Sequence, residues 1–103
     1  MKFTVKERIG LSNIVPCNGS IEQQKIVRNI LGKAEFTDEE RTIINLQRYQ
    51  DGRISWNPKR EMPREIDLTS QELKLLKDQV KKLDEQSMIN QDTLDVCLKI
   101  SAL

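Results

Sequence analysis

The chain has 103 residues, enough for one domain with a modest core. Lys+Arg 17 against Asp+Glu 16 leave a formal charge of +1, which argues against a protein devoted to a polyanion, whose mark is a strong basic excess. Histidine is absent, so the usual side chain for proton transfer near neutral pH and the commonest nitrogen ligand of metals are both missing.

Cys17 and Cys97 lie far apart with no Cys-x-x-Cys spacing, and they are too few for a zinc site in a chain without histidine. Cys97 stands among Leu94, Val96, Leu98 and Ile100 and reads as a small core hydrophobe, whereas Cys17, between Pro16 and Asn18, reads as more exposed. No apolar run approaches the ~18 residues of a membrane span, and the N-terminus lacks the apolar region of a signal peptide. The expectation is a cytoplasmic chain with reduced thiols, no cofactor and no metal.

Helix starts are marked by capping boxes, in which a Ser or Thr and a Glu or Gln three positions on satisfy each other's backbone donors. Thr4–Glu7 opens a first helix through about Ile14, weakened by Gly10 and stopped by Pro16. Cys17-Asn18-Gly19 is a turn. Ser20–Gln23 then opens a second helix, whose stripe of Ile26, Val27, Ile30 and Leu31 runs to a stop at Gly32 and Lys33. Thr37–Glu40 opens a third, short because Ile43, Ile44 and Leu46 suit a strand, with Asp38, Glu39 and Glu40 placed against the positive end of the helix dipole.

Asp51-Gly52 is a hairpin tip that sets Tyr49 opposite Ile54 and Gln47 opposite Trp56. Asn57 to Pro63 is a loop, since Pro58 and Pro63 cannot donate to a ladder, and Glu65 to Leu68 is a third short strand. Thr69–Glu72 opens the best-specified helix, from Ser70 to about Gln86, with Leu68 and Leu73 as its hydrophobic staple and Leu73, Leu76, Val80 and Leu83 as its apolar stripe. A last helix, capped by Asn90, carries Leu94, Cys97 and Leu98 on one side. The expected architecture is one α+β domain over residues 1–103, with three to five helices around a small antiparallel sheet of two or three strands between about Ile43 and Leu68. The Ser70 helix would cover that sheet, although its near-heptad stripe also suits a partner seam.

Chemistry is poorly represented. Ser20 and Ser70 read as helix-terminus residues, because lysines and carboxylates are the only bases on offer. Glu39/Glu40 and Asp84/Glu85 are adjacent on helices and do not face one another, so no carboxylate pair is set to converge on a cleft. A non-enzymatic protein is expected. If Leu94, Cys97 and Leu98 face inward, then Val96, Ile100 and Leu103 are left outside as a protein interface; the competing reading is a helix wedged between two layers, or a frayed tail. A second candidate lies in residues 48–64, where five basic residues (Arg48, Arg53, Lys59, Arg60, Arg64) against two acidic ones give a local excess of +3. With Trp56 as a stacking ring, those residues form a candidate nucleic-acid contact; alternatively Tyr49 and Trp56 pack inward and the charges are merely solvated.

Glu7-Arg8-Ile9 with Leu11, followed by Val15-Pro16 and Gly19, resembles the opening of small proteins encoded in tailed-phage and prophage genomes, in which leucine is common at the position of Ile9. The likeness continues through Lys25-Ile26-Val27-Arg28, Phe36-Thr37-Asp38-Glu39-Glu40, the Ile54–Pro58 segment with Trp56, and the leucine-rich helix before a short terminal one. The resemblance implies a phage or prophage setting, in the cytoplasm of a bacterial host, and a role as an assembly factor, a minor virion component or a small inhibitor of a host protein. The leading reading is a protein-interaction or assembly module that binds a protein partner or itself, with nucleic-acid binding as the alternative and no membrane partner.

Overall fold

A computed structural model describes residues 1–103. Each helix begins where a side chain takes up an orphan backbone N–H. The caps Thr4, Ser20, Thr37, Thr69 and Asn90 start α1 (Val5–Ile14), α2 (Ile21–Ala34), α3 (Asp38–Ile44), α4 (Ser70–Glu85) and α5 (Gln91–Ser101), all with reciprocal capping boxes. Four short strands complete the chain: β1 (Lys2–Phe3), β2 (Gln47–Arg48), β3 (Ile54–Ser55) and β4 (Arg64–Glu65), with one 3-10 turn over Pro58–Arg60. Five helices and two small antiparallel two-stranded sheets make a single α+β domain.

The strands pair differently from the expected single sheet. The hairpin β2–β3 stands alone, and β4 joins β1 at the other end of the chain, with Phe3 opposite Arg64 and Lys2 opposite Glu65. This pairing follows the apolar side chains, because it brings fully buried Phe3 and Ile66 into the same core. Ile43 and Ile44 belong to the end of α3, which closes on Asn45 in the left-handed conformation (φ 53°). The hairpin register also lies one residue away from expectation: Arg48 faces Ile54 and Gln47 faces Ser55. Its loop is Gln50–Gly52, closed by the Gly52 N–H donating to the Tyr49 carbonyl and by Gly52 at φ +91°, a backbone state natural to glycine.

The main core lies among α1, α2, α4 and α5, where Leu11, Ile14, Ile30, Leu76, Val96 and Ile100 are at most 1 % exposed. A smaller cluster of Val5, Phe36 and Ile44 joins α1 to α3, with Ile9, Leu46 and Trp56 packed against it. The stripe of α4 therefore packs on neighbouring helices and not on the hairpin sheet. The helix α5 is likewise enclosed, between α1 and α4. Val96 and Ile100, expected outside, are buried, and Leu103 is half-buried against the main core. The wedged-helix alternative is the one realised, and the exposed interface of Val96, Ile100 and Leu103 does not exist. On this helix it is Leu98 that faces solvent, at 60 % exposure.

Gly10 is the reason α5 comes so close. A Cβ at residue 10 would lie 2.8 Å from Val96 Cγ1, tighter than real contacts allow, so the glycine that weakens α1 locally is what lets it pack on α5. Gly32, near the end of α2, has nothing within 4 Å of its own Cβ position. The two glycines should respond to alanine with opposite signs. Gly32→Ala raises stability by about 0.5–1 kcal/mol through helix propensity, whereas at Gly10 overpacking of ~1–3 kcal/mol outweighs that gain. Chemical denaturation of both variants measures this, and equal stabilisation by both would contradict the close approach. On α5, Ile100→Asp buries an unpaired carboxylate and should abolish the cooperative thermal transition, while Leu98→Asp leaves the melting temperature nearly unchanged.

Candidate functional site

On α1, the residues Val5, Arg8, Leu11 and Ile14 recur every third position and all are buried, so a guanidinium occupies a core row. Arg8 is only 2 % exposed and its charge is met on every side. Its Nε donates to the Ala34 carbonyl (3.2 Å), one terminal nitrogen donates to the Glu35 carbonyl (2.7 Å) and to Glu40 Oε1 (3.3 Å), and the other donates to Glu40 Oε2 (2.5 Å). Its planar face lies 3.9 Å from the centre of the Phe36 ring. Arg8 thus binds the C-terminal end of α2 and the start of α3 to α1, and it links the main core to the smaller cluster.

Glu40 serves two purposes. Its Oε1 accepts the Thr37 N–H (3.1 Å), completing the cap of α3, and its two oxygens also take Arg8 and, at 3.2 Å, Arg64 from β4. Glu72 repeats the arrangement on α4: it accepts the Thr69 N–H (2.8 Å) and pairs with Lys33 of α2. Partial burial by itself would raise both carboxyls. The hydrogen bonds from Arg8 and Thr37 to Glu40, and from Lys33 and Thr69 to Glu72, outweigh it with the nearby positive charges and hold both below the ordinary 4.5.

These elements frame an open groove of about 860 Å³ between α1, α2, α3 and the hairpin. Ile9, Leu31 and Ile54 are partly exposed along it, and Arg28 of α2, Arg41 of α3 and Arg48 of β2 stand in its lining, with Glu35 as the sole carboxylate there. Arg41 reaches Asp38 at 3.7 Å, whereas Arg28 and Arg48 enter none of the chain's ion pairs. A groove with a net positive lining and an apolar floor can hold an anionic group beside an apolar one.

The basic residues expected to act together are dispersed. Arg48 joins the groove. Arg53 is paired with Asp51 (2.6 Å) and lies 5.4 Å from the Tyr49 ring centre, on the opposite hairpin face from Arg48. Lys59 and Arg60 are exposed on the 3-10 turn, and Arg64 is taken up by Glu40 and the Glu35 carbonyl. Trp56 is half-buried against the smaller cluster and its ring N–H donates to Glu61 (3.4 Å), so it packs inward and is not a free stacking ring, whereas Tyr49, expected to pack inward with it on the alternative reading, is 46 % exposed. Arg8, Arg28 and Arg41 were outside the expected sites. The one available signal was Arg8's place in the every-third-residue row of α1, an ionisable residue at a core position. Cys97 is buried, and burial pushes its thiol up, as does Asp84's charge, against a lowering by Thr93. Cys17 is exposed.

No helix is long and apolar enough to cross a membrane. Comparisons with protein-family models, with curated proteins and with solved structures find no match to this chain.

The depressed carboxyls make stability depend on pH with a defined sign. Near pH 4.5 the folded chain binds fewer protons at Glu40 and Glu72 than the unfolded chain does. Their contribution is therefore complete above that value and is lost as pH falls through the lower folded values. Glu40→Gln and Glu72→Gln keep the capping geometry but delete the charge. Each variant should be less stable than the parent at neutral pH and should lose less on acidification, measured by thermal melts across the acid range.

Proposed function

We propose that this chain is a non-enzymatic protein-interaction or assembly module whose contact surface is the groove between α1, α2, α3 and the β2–β3 hairpin. The observation that carries the reading is the groove's composition: the partly exposed apolar residues Ile9, Leu31 and Ile54, with Arg28 and Arg48 free of carboxylate partners. Apolar floors with polar rims are what protein partners bury. A place among phage- or prophage-encoded proteins, acting in the cytoplasm of a bacterial host, is proposed on the sequence resemblance alone.

The dispersal of Arg48, Arg53, Lys59, Arg60 and Arg64 and the inward packing of Trp56 weigh against nucleic-acid binding. The two readings separate by salt and by ligand. The immobilised protein is challenged with a library of random short peptides and, in parallel, with random single-stranded DNA at low and high salt. Saturable peptide binding with little DNA retention is the expected result. DNA binding that falls steeply with salt, or no peptide binding at all, would overturn the proposal.

A further inference from the structure

We infer, resting on the interaction-module reading, that the partner presented to this groove is an acidic protein segment: one large aliphatic or aromatic side chain flanked by Asp or Glu. Three arginines come to the groove from three different elements, α2, α3 and β2, so they are not the solvated stripe of one helix. Arg8 is spent inside the fold, since its nitrogens already meet Ala34, Glu35 and Glu40, and Arg41 has only a long contact to fully exposed Asp38. Arg28 and Arg48 are left to meet incoming charge. Guanidinium groups match carboxylates through paired N–H donors, and carboxylates on a flexible segment can reach both.

The floor decides between a protein and a nucleic acid. Its accessible side chains, Ile9, Leu31 and Ile54, are aliphatic. The one aromatic ring in the lining, Phe36, is 9 % exposed and lies beneath Arg8. Bases bind single-strand grooves by stacking on open rings, and none is offered here. An aliphatic floor instead fits a Leu, Ile or Phe side chain, whose burial supplies the affinity while the arginines set orientation and partner choice.

The test uses the whole chain and the random-peptide library. Selected peptides should be enriched in Asp and Glu around one apolar residue. A fluorescein-labelled selected peptide should bind about tenfold or more weakly to the R28E/R48E double variant, less weakly to R28K/R48K, which keeps the charge but loses the paired donors, and nearly as well to R60E as to the parent. Arg28 and Arg48 are exposed, so a thermal melt of R28E/R48E should match the parent; should it not, R28Q/R48Q serves in its place. Peptides that bind without acidic enrichment, or whose affinity ignores Arg28 and Arg48, would overturn this inference while leaving the interaction-module reading intact. Failure to select any peptide would overturn both.

Discussion

Three glutamates hold this fold together by being used twice. Glu7, Glu40 and Glu72 each sit three residues after a helix cap and accept the cap's backbone N–H, at 2.8, 3.1 and 2.8 Å. Each then takes a cation from a distant element: Lys99 of α5 for Glu7, Arg8 of α1 and Arg64 of β4 for Glu40, Lys33 of α2 for Glu72. The same side chain thus caps a helix and ties it to a distant element. Exposed ion pairs contribute little, but these carboxylate side chains are 12, 28 and 4 % exposed, so screening by water is reduced and the loss of one partner leaves a costly charge behind. The box of α2 ends in neutral Gln23, which bonds only the Ser20 N–H and recruits no cation.

The Arg8–Glu40 pair has the widest consequences. A buried guanidinium between two apolar clusters is expensive unless every N–H group in reach is answered, and here the answers come from two carbonyls, a carboxylate and an aromatic face. Those partners lie at the end of α2 and the start of α3, so satisfying the charge also sets the spacing of the elements that wall the groove. The fold and the candidate binding surface thus share one electrostatic centre. Arg28, Arg41 and Arg48 are displayed around it without being consumed by it.

The hairpin illustrates how a local signal can be right in place and wrong in consequence. Asp51-Gly52 does mark the turn, and Gly52 does take the positive φ. The dipeptide suits a loop of two residues or of three, however, and the longer loop slips the register by one. Because side chains alternate faces, that slip parts Tyr49 from Ile54 and Trp56 and sends Arg48 to the groove while Arg53 goes to the other side. The same sensitivity governs α5, where the stripe through Leu94 and Leu98 and the stripe through Val96 and Ile100 overlap at Cys97. The deciding contact was Gly10 against Val96, between residues far apart in the chain.

From the residues alone one could place all five helix starts, the turn at Asp51-Gly52, the α+β class and the burial of Leu76 and Val80 on α4. The helix starts and the turn rest on interactions within a few residues, and the inward face of α4 on the helical period of its apolar residues. The pairing of β4 with β1, the inward face of α5, the burial of Arg8 and the convergence of Arg28, Arg41 and Arg48 were decided by tertiary structure. Each depends on partners in other elements, as Arg8 does on Glu40 and Lys99 on Glu7, and only packing chooses among the alternatives that local pattern leaves open.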